Sequence, residues 1–315
     1  MKNPLNRIVR SVQAFGRELK RQALHELKPE PALRPKIGLA LGGGFARGLA
    51  HIGVLKVLEE AQIPIDFIAG TSVGSVIGAA YASGMTAHEL GELSVKVRFK
   101  DFSRWAVSRL GLFSNDRMSK FLERILACRK FEELRIPLAV AATDIITGEA
   151  AVFTNGDLVD PVRASCAYPG IFLPVNIGGR LLVDGLLSHA VPAMPLRAMG
   201  AERVISVHLR AAWVKPGGPR HVLDIIGQCF SIAQDRTCGP WRSASDVVLE
   251  PVIGEFAYDD FARAPELVAA GEAAARAALP KIREWIPAAQ SEQPQITVQH
   301  ADPKEASGAV ALTAD

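Results

Sequence analysis

The sequence of 315 residues is 49% hydrophobic, 22% charged and 6% aromatic, which is typical of a globular protein with a sizeable core. Its four cysteines include no C-x-x-C pair, which argues against a disulfide framework and a zinc site, so we expect no metal and no cofactor. A net charge of only +3 favours no particular partner, and we expect no contact with nucleic acid.

The basic residues are concentrated in an N-terminal arm. Residues 1–36 hold nine Lys and Arg against three Glu, a net charge of +6, which leaves the remainder of the chain at −3. Within the arm, residues 4–27 predict an amphipathic helix with apolar side chains on one face and basic side chains elsewhere. Such a helix could lie on an anionic membrane surface, or it could dock on the domain or on a partner protein.

Neither a secretory signal nor a transmembrane helix is expected. No uninterrupted apolar segment follows the charged N-terminus, and no run of about 18 apolar residues occurs. We therefore expect a cytoplasmic protein that could be peripheral at the inner membrane surface. Prolines end the arm, and the composition near the C-terminus is typical of a disordered tail. These boundaries predict an arm (1–35), a folded domain (36–286) and a tail (287–315).

The folded domain begins with alternating strands and helices. Residues 37–41 predict a strand, which is followed by three glycines and a helix that ends near Gln62. A second strand at residues 65–69 also ends in glycine, and residues 75–82 form a helix rich in small side chains. This order is typical of parallel βαβ units and predicts an α/β domain.

The rest of the domain continues the α/β pattern. Residues 85–135 are predicted to be mostly helical with a polar break at residues 114–116, and a late helix covers residues 266–279 until Pro280 ends or kinks it. Further buried strands are predicted at residues 138–142, 151–154, 203–207 and 247–249.

Gly70-Thr71-Ser72-Val73-Gly74 matches the G-x-S-x-G pattern of a nucleophile elbow. A predicted strand leads into the pentamer and a predicted helix leads out of it, which is the context that such an elbow requires. The glycines allow a turn sharp enough to present the Ser72 hydroxyl above the sheet, at the positive end of the next helix. Ser72 is therefore a candidate nucleophile. The alternative is a plain turn whose serine caps the helix.

Gly42-Gly43-Gly44, with Arg47 and Gly48 nearby, also follows a predicted strand and opens a helix. Consecutive glycines expose backbone N–H groups that can bind a negatively charged oxygen. The loop lacks the spacing and the acidic residue of a dinucleotide-binding turn, and it lacks the Gly-Lys-Ser/Thr of a P-loop. What remains is an oxyanion hole for the candidate serine, with Arg47 adding positive charge, or a structural glycine turn.

A serine nucleophile needs a proton acceptor, and the sequence offers three candidates. His208 ends a predicted strand and His189 follows a turn, so either could complete a Ser–His–Asp triad. Asp184 ends an apolar strand at a glycine turn, where α/β sheets present functional groups. An ordinary turn aspartate explains the same pattern, so these residues alone leave the base open.

Three motifs in this order resemble the patatin-like phospholipases, in particular their bacterial branch. Shorter stretches at residues 142–149, 164–170 and 249–251 add to the resemblance, which runs from about residue 37 to about residue 278. The three motifs are Gly42-Gly43-Gly44 with Arg47-Gly48, then Gly70-Thr71-Ser72-Val73-Gly74, then Asp184-Gly185.

The resemblance implies a three-layer α/β/α fold with a mainly parallel central sheet. It also implies a serine acyl hydrolase of lipid breakdown, a phospholipase A, lysophospholipase or lipid esterase acting on phospholipid or other fatty acyl esters. The implied site is a Ser–Asp dyad with an oxyanion hole. Its residues are Ser72 as nucleophile, Asp184 as base, Gly42, Gly43, Gly44 and Arg47 at the oxyanion, and Gly70 and Gly74 in the elbow.

Two positions depart from the family pattern. Phe45 stands where many members have a further glycine, and Leu186 stands where Gly or Ala usually follows the Asp-Gly pair. An aspartate is a weak base unless burial raises its pKa, and ester leaving groups are better than those of amides, so a Ser–Asp dyad favours lipid esters over peptides. Two other functions stay open: an esterase with a triad through His189 or His208, and a non-catalytic lipid-binding regulatory protein of the same fold.

Overall fold

The computed structural model describes residues 34–106, 108–210, 218–219, 222–254 and 256–287. The predicted amphipathic helix at residues 4–27 lies outside these ranges, as does the predicted tail beyond residue 287. The strands are β1 Ile37–Leu41, β2 Phe67–Thr71, β3 Arg104–Trp105, β4 Gly111–Ser114, β5 Leu138–Asp144, β6 Ala150–Phe153, β7 Gly170–Phe172, β8 Val175–Ile177, β9 Arg180–Asp184, β10 Arg203–Val207 and β11 Val247–Leu249. The α-helices are α1 Ala50–Glu60, α2 Val73–Ala82, α3 Ala87–Ser94, α4 Asp116–Ile125, α5 Val159–Ser165, α6 Ala193–Ala198, α7 Val222–Arg236, α8 Gly239–Ser243 and α9 Ala264–Arg283.

A central sheet organises the described part of the chain. Its strands follow the order β11-β10-β1-β2-β5-β9-β8, with β6 also paired to β5. Neighbours from β11 to β5 run parallel, whereas β6, β8 and β9 pair antiparallel. Helices cover both faces, which confirms the predicted three-layer α/β/α fold with a mainly parallel sheet. No helix among the described residues is long and apolar enough to cross a membrane.

The two faces of the sheet carry side chains of different size. On one face, Leu39 and Leu41 of β1 join the main core together with residues of α1, α2 and α9. On the other face, Ala40 joins a smaller cluster with residues of α6 and α8. A Cβ on Gly38 would lie only 2.9 Å from the Cβ of Ala201. Small side chains therefore let α6 pack close to the sheet, while the opposite face holds most of the buried apolar volume.

One prediction of secondary structure was wrong, and of the two outcomes expected at Pro280 the structure excludes one, the end of the helix. Residues 85–135 are not mostly helical, because a hairpin of β3 and β4 separates α3 from α4 and joins β7 in a second sheet. The strand β7 that pairs with β4 lies far along the chain, so local propensity does not reveal the hairpin. Helix α9 continues through Pro280 to Arg283. Its last turn buries Ile282 completely, and this packing offsets the hydrogen bond that proline removes.

Two strands end against the same edge of β5. Strand β2 pairs in parallel with residues 138–141 of β5, and β9 pairs antiparallel with residues 142–144. Strand β6 occupies the other edge of β5 across this junction. β2 and β9 therefore meet end to end, and Thr71 and Asp184 lie opposite consecutive residues of β5. The carboxyl ends of both strands are brought to one point in the sheet.

Candidate active site

Ser72 lies in the turn between β2 and α2. Its backbone has φ 54° and ψ −126°, a conformation that few residues other than glycine adopt. Strain of this kind costs on the order of 1–3 kcal/mol and is typical of nucleophile elbows. Close contacts also require the glycines of the elbow. A Cβ on Gly74 would lie 2.1 Å from the Leu41 carbonyl oxygen, and one on Gly70 would lie 2.5 Å from the Cα of Ser75.

The backbone of Ser72 is held from both sides. Its N–H donates to Ser165 Oγ at 2.8 Å, and Ser165 Oγ donates in turn to the carbonyl oxygen of Ala141 in β5 at 2.6 Å. The Ser72 carbonyl accepts a hydrogen bond from Ser75 Oγ at 2.6 Å. The residue is 8% exposed and stands at the N-terminus of α2, whose positive end favours negative charge on the hydroxyl oxygen.

Asp184 is fully buried at the end of β9. Its Oδ1 accepts a hydrogen bond from the Leu186 N–H at 2.9 Å, and its own N–H donates to the Ala167 carbonyl at 3.0 Å. Gly185 is needed beside it, because a Cβ there would lie 2.2 Å from the carbonyl oxygen of Ala141. These contacts hold the carboxylate in one orientation next to the elbow.

Burial raises the pKa of Asp184 to about 7, although the hydrogen bond from Leu186 and the hydroxyl of Ser72 both act to lower it. Ser72 and Asp184 line the same polar pocket, and Oδ2 of Asp184 makes no hydrogen bond to any described residue. The carboxylate can therefore take up and release a proton near neutral pH.

The glycine loop offers fewer open amides than its sequence suggests. The Gly42 N–H donates to the Val207 carbonyl at 3.1 Å, and the Gly43 N–H donates to the Ala190 carbonyl at 3.2 Å. The Gly44 N–H has no hydrogen-bond partner among the described residues. Of the three amides predicted for the oxyanion hole, the first two bind the loop to β10 and to the segment after β9. Only the Gly44 amide is therefore open among the described residues.

Arg47 is buried behind this loop, where its Nε donates to the Phe256 carbonyl at 3.0 Å. Burial lowers its pKa, but a guanidinium stays charged at neutral pH. The side chain lines the same polar pocket as Gly44 and Ser72. It therefore brings positive charge to the pocket that contains Ser72.

Phe45 adopts a left-handed backbone conformation with φ 51°. This explains why glycine suits the position, since a bulky residue is strained there. In this conformation the Phe45 ring lies between two other aromatic rings. Its centroid is 5.1 Å from that of Tyr168 and 5.8 Å from that of Tyr258, in edge-on contacts. The departure from the family pattern thus adds an aromatic wall beside Ser72.

Two pockets meet at Ser72 and Phe45, which line both. The apolar pocket has a volume of about 810 Å³, including the solvent at its mouth, and is lined mainly by side chains of α2, α3 and α4. The polar pocket has a volume of about 510 Å³ and contains Asp184, Gly44 and Arg47. No group of three or more His, Cys, Asp or Glu in the described ranges is arranged to hold a metal ion.

Comparison with known proteins places this site in a family. The Patatin model, described as patatin-like phospholipase, matches residues 39–197, about half of the chain. The chain belongs to the patatin-like phospholipase family. The matched range contains the glycine loop, Ser72 and Asp184, and it also contains most of the apolar pocket.

Curated relatives of this patatin-like protein include an uncharacterized NTE family protein of Mycobacterium tuberculosis, 35% identical over 187 residues, 58% of this chain and 51% of that protein. Patatin-like phospholipase domain-containing protein 6 of Homo sapiens is 36% identical over 184 residues, 54% of this chain and 13% of that protein. The chain thus spans about half the length of the mycobacterial relative and a small part of the human one. Among solved structures, VipD from Legionella pneumophila is similar with a TM-score of 0.45 and 13% identity, covering 80% of this chain and 67% of that chain.

Neither candidate histidine lines a pocket of this patatin-like site. Nδ1 of His208 lies 3.0 Å from Glu250 Oε1, and its ring packs against Trp241 with 5.0 Å between the ring centroids. The backbone N–H of His189 donates to the Gly185 carbonyl at 2.7 Å, and burial lowers the pKa of its ring. Asp184 lines the polar pocket together with Ser72, whereas neither of these histidines is among the residues that line it.

Sequence reasoning assigned no role to three residues that surround Ser72. Ser165 binds the Ser72 N–H, and Tyr168 lines the polar pocket. Cys166 is buried and lines the apolar pocket together with Ser72, and burial and the charge of Asp184 raise the pKa of its thiol above the usual range. All three lie within residues 164–170, and the family resemblance of that stretch was the only signal that marked them.

Proposed function

We propose that the protein is a serine acyl hydrolase that cleaves fatty acyl esters, such as phospholipids or lysophospholipids, through an acyl intermediate on Ser72. The observation that carries this proposal is the position of Ser72 between an apolar and a polar pocket. An ester of a fatty acid has the same division, since a long apolar chain and a polar alcohol flank its carbonyl. The names of relatives, including neuropathy target esterase sws of Drosophila melanogaster, agree with ester hydrolysis.

The first half of the reaction transfers the acyl group to the serine. Asp184 Oδ2 accepts the proton of the Ser72 hydroxyl as Oγ attacks the ester carbonyl, and the carbonyl oxygen becomes negatively charged. The Gly44 N–H, the N-terminus of α2 and the charge of Arg47 stabilise this oxyanion. When the intermediate collapses, the C–O bond of the ester breaks and Asp184 gives its proton to the departing alcohol.

The second half returns the enzyme to its starting state. A water molecule enters from the polar pocket, gives a proton to Asp184 and attacks the acyl carbon. The bond to Ser72 Oγ then breaks, the fatty acid leaves, and the proton returns from Asp184 to the serine. A carboxylate with a pKa of about 7 suits both transfers, because it is neither too weak as a base nor too weak as an acid at neutral pH.

Fatty acid release from a panel of phospholipids, lysophospholipids and simple acyl esters tests this function. We expect Ser72→Ala and Asp184→Asn to lower kcat/KM by on the order of 10²–10⁴ on every substrate that the wild type cleaves. His189→Ala and His208→Ala should keep activity within about tenfold. If a histidine variant loses activity and Asp184→Asn retains it, a Ser–His–Asp triad replaces the dyad. If Ser72 of the folded protein fails to react with a fluorophosphonate, a non-catalytic lipid-binding role replaces hydrolysis.

A further inference from the structure

The hairpin of β3 and β4 carries large apolar side chains that are exposed to solvent. Trp105 is 74% exposed, Leu110 is 63% exposed and Leu112 is 39% exposed. An exposed tryptophan beside two exposed leucines makes an apolar patch of the kind that marks a contact surface. We refer to these three residues as the hairpin patch.

The hairpin patch is joined to the wall of the apolar pocket. Strand β4 pairs with β7, and the ring of Trp105 packs on that of Phe113 in β4 with 4.5 Å between centroids. Phe113 in turn contacts Phe172 of β7, whose side chain lines the apolar pocket. A surface that binds the patch is therefore brought next to the pocket proposed to hold the acyl chain.

Basic side chains are concentrated in the segment of the chain that contains the hairpin patch. Residues 96–124 contain eight Lys and Arg against three Asp and Glu, a net charge of +5, so the rest of a chain of net charge +3 carries −2. All eight cations are exposed. Among the described residues of this segment, the only ion pair between one of these cations and an acid is a long contact of 3.7 Å between Arg104 and Asp116. The eight are Lys96, Arg98, Lys100, Arg104, Arg109, Arg117, Lys120 and Arg124.

We infer that the hairpin patch, together with exposed cations of residues 96–124, docks on the surface of an anionic phospholipid bilayer. Exposed Trp and Leu side chains enter the boundary between head groups and acyl chains, and Lys and Arg bind the anionic head groups. This inference rests on the proposed function, because docking would bring lipid esters to the pocket that leads to Ser72.

The chain's own N-terminal arm is a poorer occupant of this surface. Residues 1–36 carry a net charge of +6, so the arm and the segment around the hairpin repel each other. The chain also enters the described region at Arg34, which pairs with Asp66 just before β2 begins. That point lies at the amino end of the parallel strands, whereas the hairpin joins the pocket at their carboxyl end. An anionic bilayer complements the positive charge of residues 96–124, and the arm does not.

Sedimentation of the full chain with lipid vesicles tests the docking. The Ser72→Ala background prevents turnover, and the vesicles consist of phosphatidylcholine alone or mixed with phosphatidylglycerol. We expect binding only to the anionic vesicles, weaker at high salt, and weakened roughly tenfold or more by Trp105→Ser with Leu110→Ser. The matched control is Met194→Ser, which removes an apolar side chain that is 48% exposed on α6. Arg109→Glu should weaken binding at least about fivefold, whereas Arg283→Glu on α9 should not.

Trp105 also reports its own insertion. Lipids with brominated acyl chains should quench the fluorescence of the four-tryptophan chain, and Trp105→Phe should remove most of that quenching while Trp285→Phe does not. Equal binding and quenching in the hairpin variants and the controls would overturn the inference and assign any binding to the arm or another surface. Absence of binding to anionic vesicles would overturn it as well. The proposed function is tested separately, by measuring the turnover of a water-soluble ester by the protein that retains Ser72. That result does not depend on binding to vesicles.

Discussion

The polar and the apolar pocket meet at Ser72 but are built from different parts of the protein. In the polar pocket, backbone groups are fixed by partners far away in the sequence, as when Ser165 binds the Ser72 N–H and Ala167 binds the Asp184 N–H. The apolar pocket is lined by side chains that project from α2, α3 and α4. For the proposed hydrolase, this contrast predicts that the chemical step depends on backbone geometry, while substrate choice depends on side chains that can be exchanged. Changes in the polar pocket should affect every ester, and changes in the apolar pocket only long-chain esters.

The largest effect on stability should come from Asp184, in the polar pocket. Burial raises its pKa from 3.8 to about 7, so the folded state holds a proton that the unfolded state has already lost between these pH values. The stability associated with this proton is present below pH 3.8 and is lost as the pH rises through about 7. Asp184→Asn removes that loss, so above this pH the inactive variant should be more stable than the wild type by a few kcal/mol.

Urea unfolding of wild type and Asp184→Asn, followed across this pH range, measures the difference. We expect the gain to shrink towards zero as the pH falls to the ordinary carboxyl pKa. If Asp184→Asn is less stable than the wild type at alkaline pH, the carboxylate stabilises the fold. That result would contradict the expectation that its burial destabilises the folded protein.

In the apolar pocket, Val76→Phe should separate substrate choice from chemistry. Val76 lines the pocket from α2, and a phenyl ring there occupies space proposed for the acyl chain. We expect KM for a long-chain ester to rise about tenfold, with kcat/KM for a short-chain ester nearly unchanged. Val95→Phe is the matched control, since Val95 is exposed and does not line the pocket. Equal losses on short and long esters would remove the division between the two pockets.

The smallest effect should come from His51, which lies behind the glycine loop of the polar pocket. The ring is fully buried, with Nε2 2.8 Å from the Gly42 carbonyl oxygen, and burial lowers its pKa from 6.5 to about 4. The unfolded state binds the extra proton first, so stability is fully present above pH 6.5 and falls as the pH drops through about 4. His51→Gln keeps a donor but cannot titrate, so its Tm should depend less on pH over this range. An unchanged slope would mean that other groups dominate acid unfolding.

Local features of the site could be read from the sequence, because each has a short-range signature. The strand, glycine turn and helix around Ser72, and the strand that ends at Asp184, are of this kind. Features that depend on distant partners could not be predicted. The sequence does not show that β9 runs antiparallel and meets β2 end to end, or that carbonyls of Val207 and Ala190 occupy two of the three loop amides. The hairpin of β3 and β4 was missed for the same reason, since its partner β7 lies far along the chain.

The identity of the base that activates Ser72 is the central claim, and the pH dependence of fluorophosphonate labelling of Ser72 tests it most directly. Proton acceptance by Asp184 predicts a labelling rate that rises with pH through a midpoint of about 7, in the wild type and in His189→Ala and His208→Ala. Asp184→Asn should label slowly and without this dependence. Burial lowers the pKa of both histidines from 6.5, so a midpoint below 6.5 that disappears in a histidine variant and persists in Asp184→Asn would contradict the dyad.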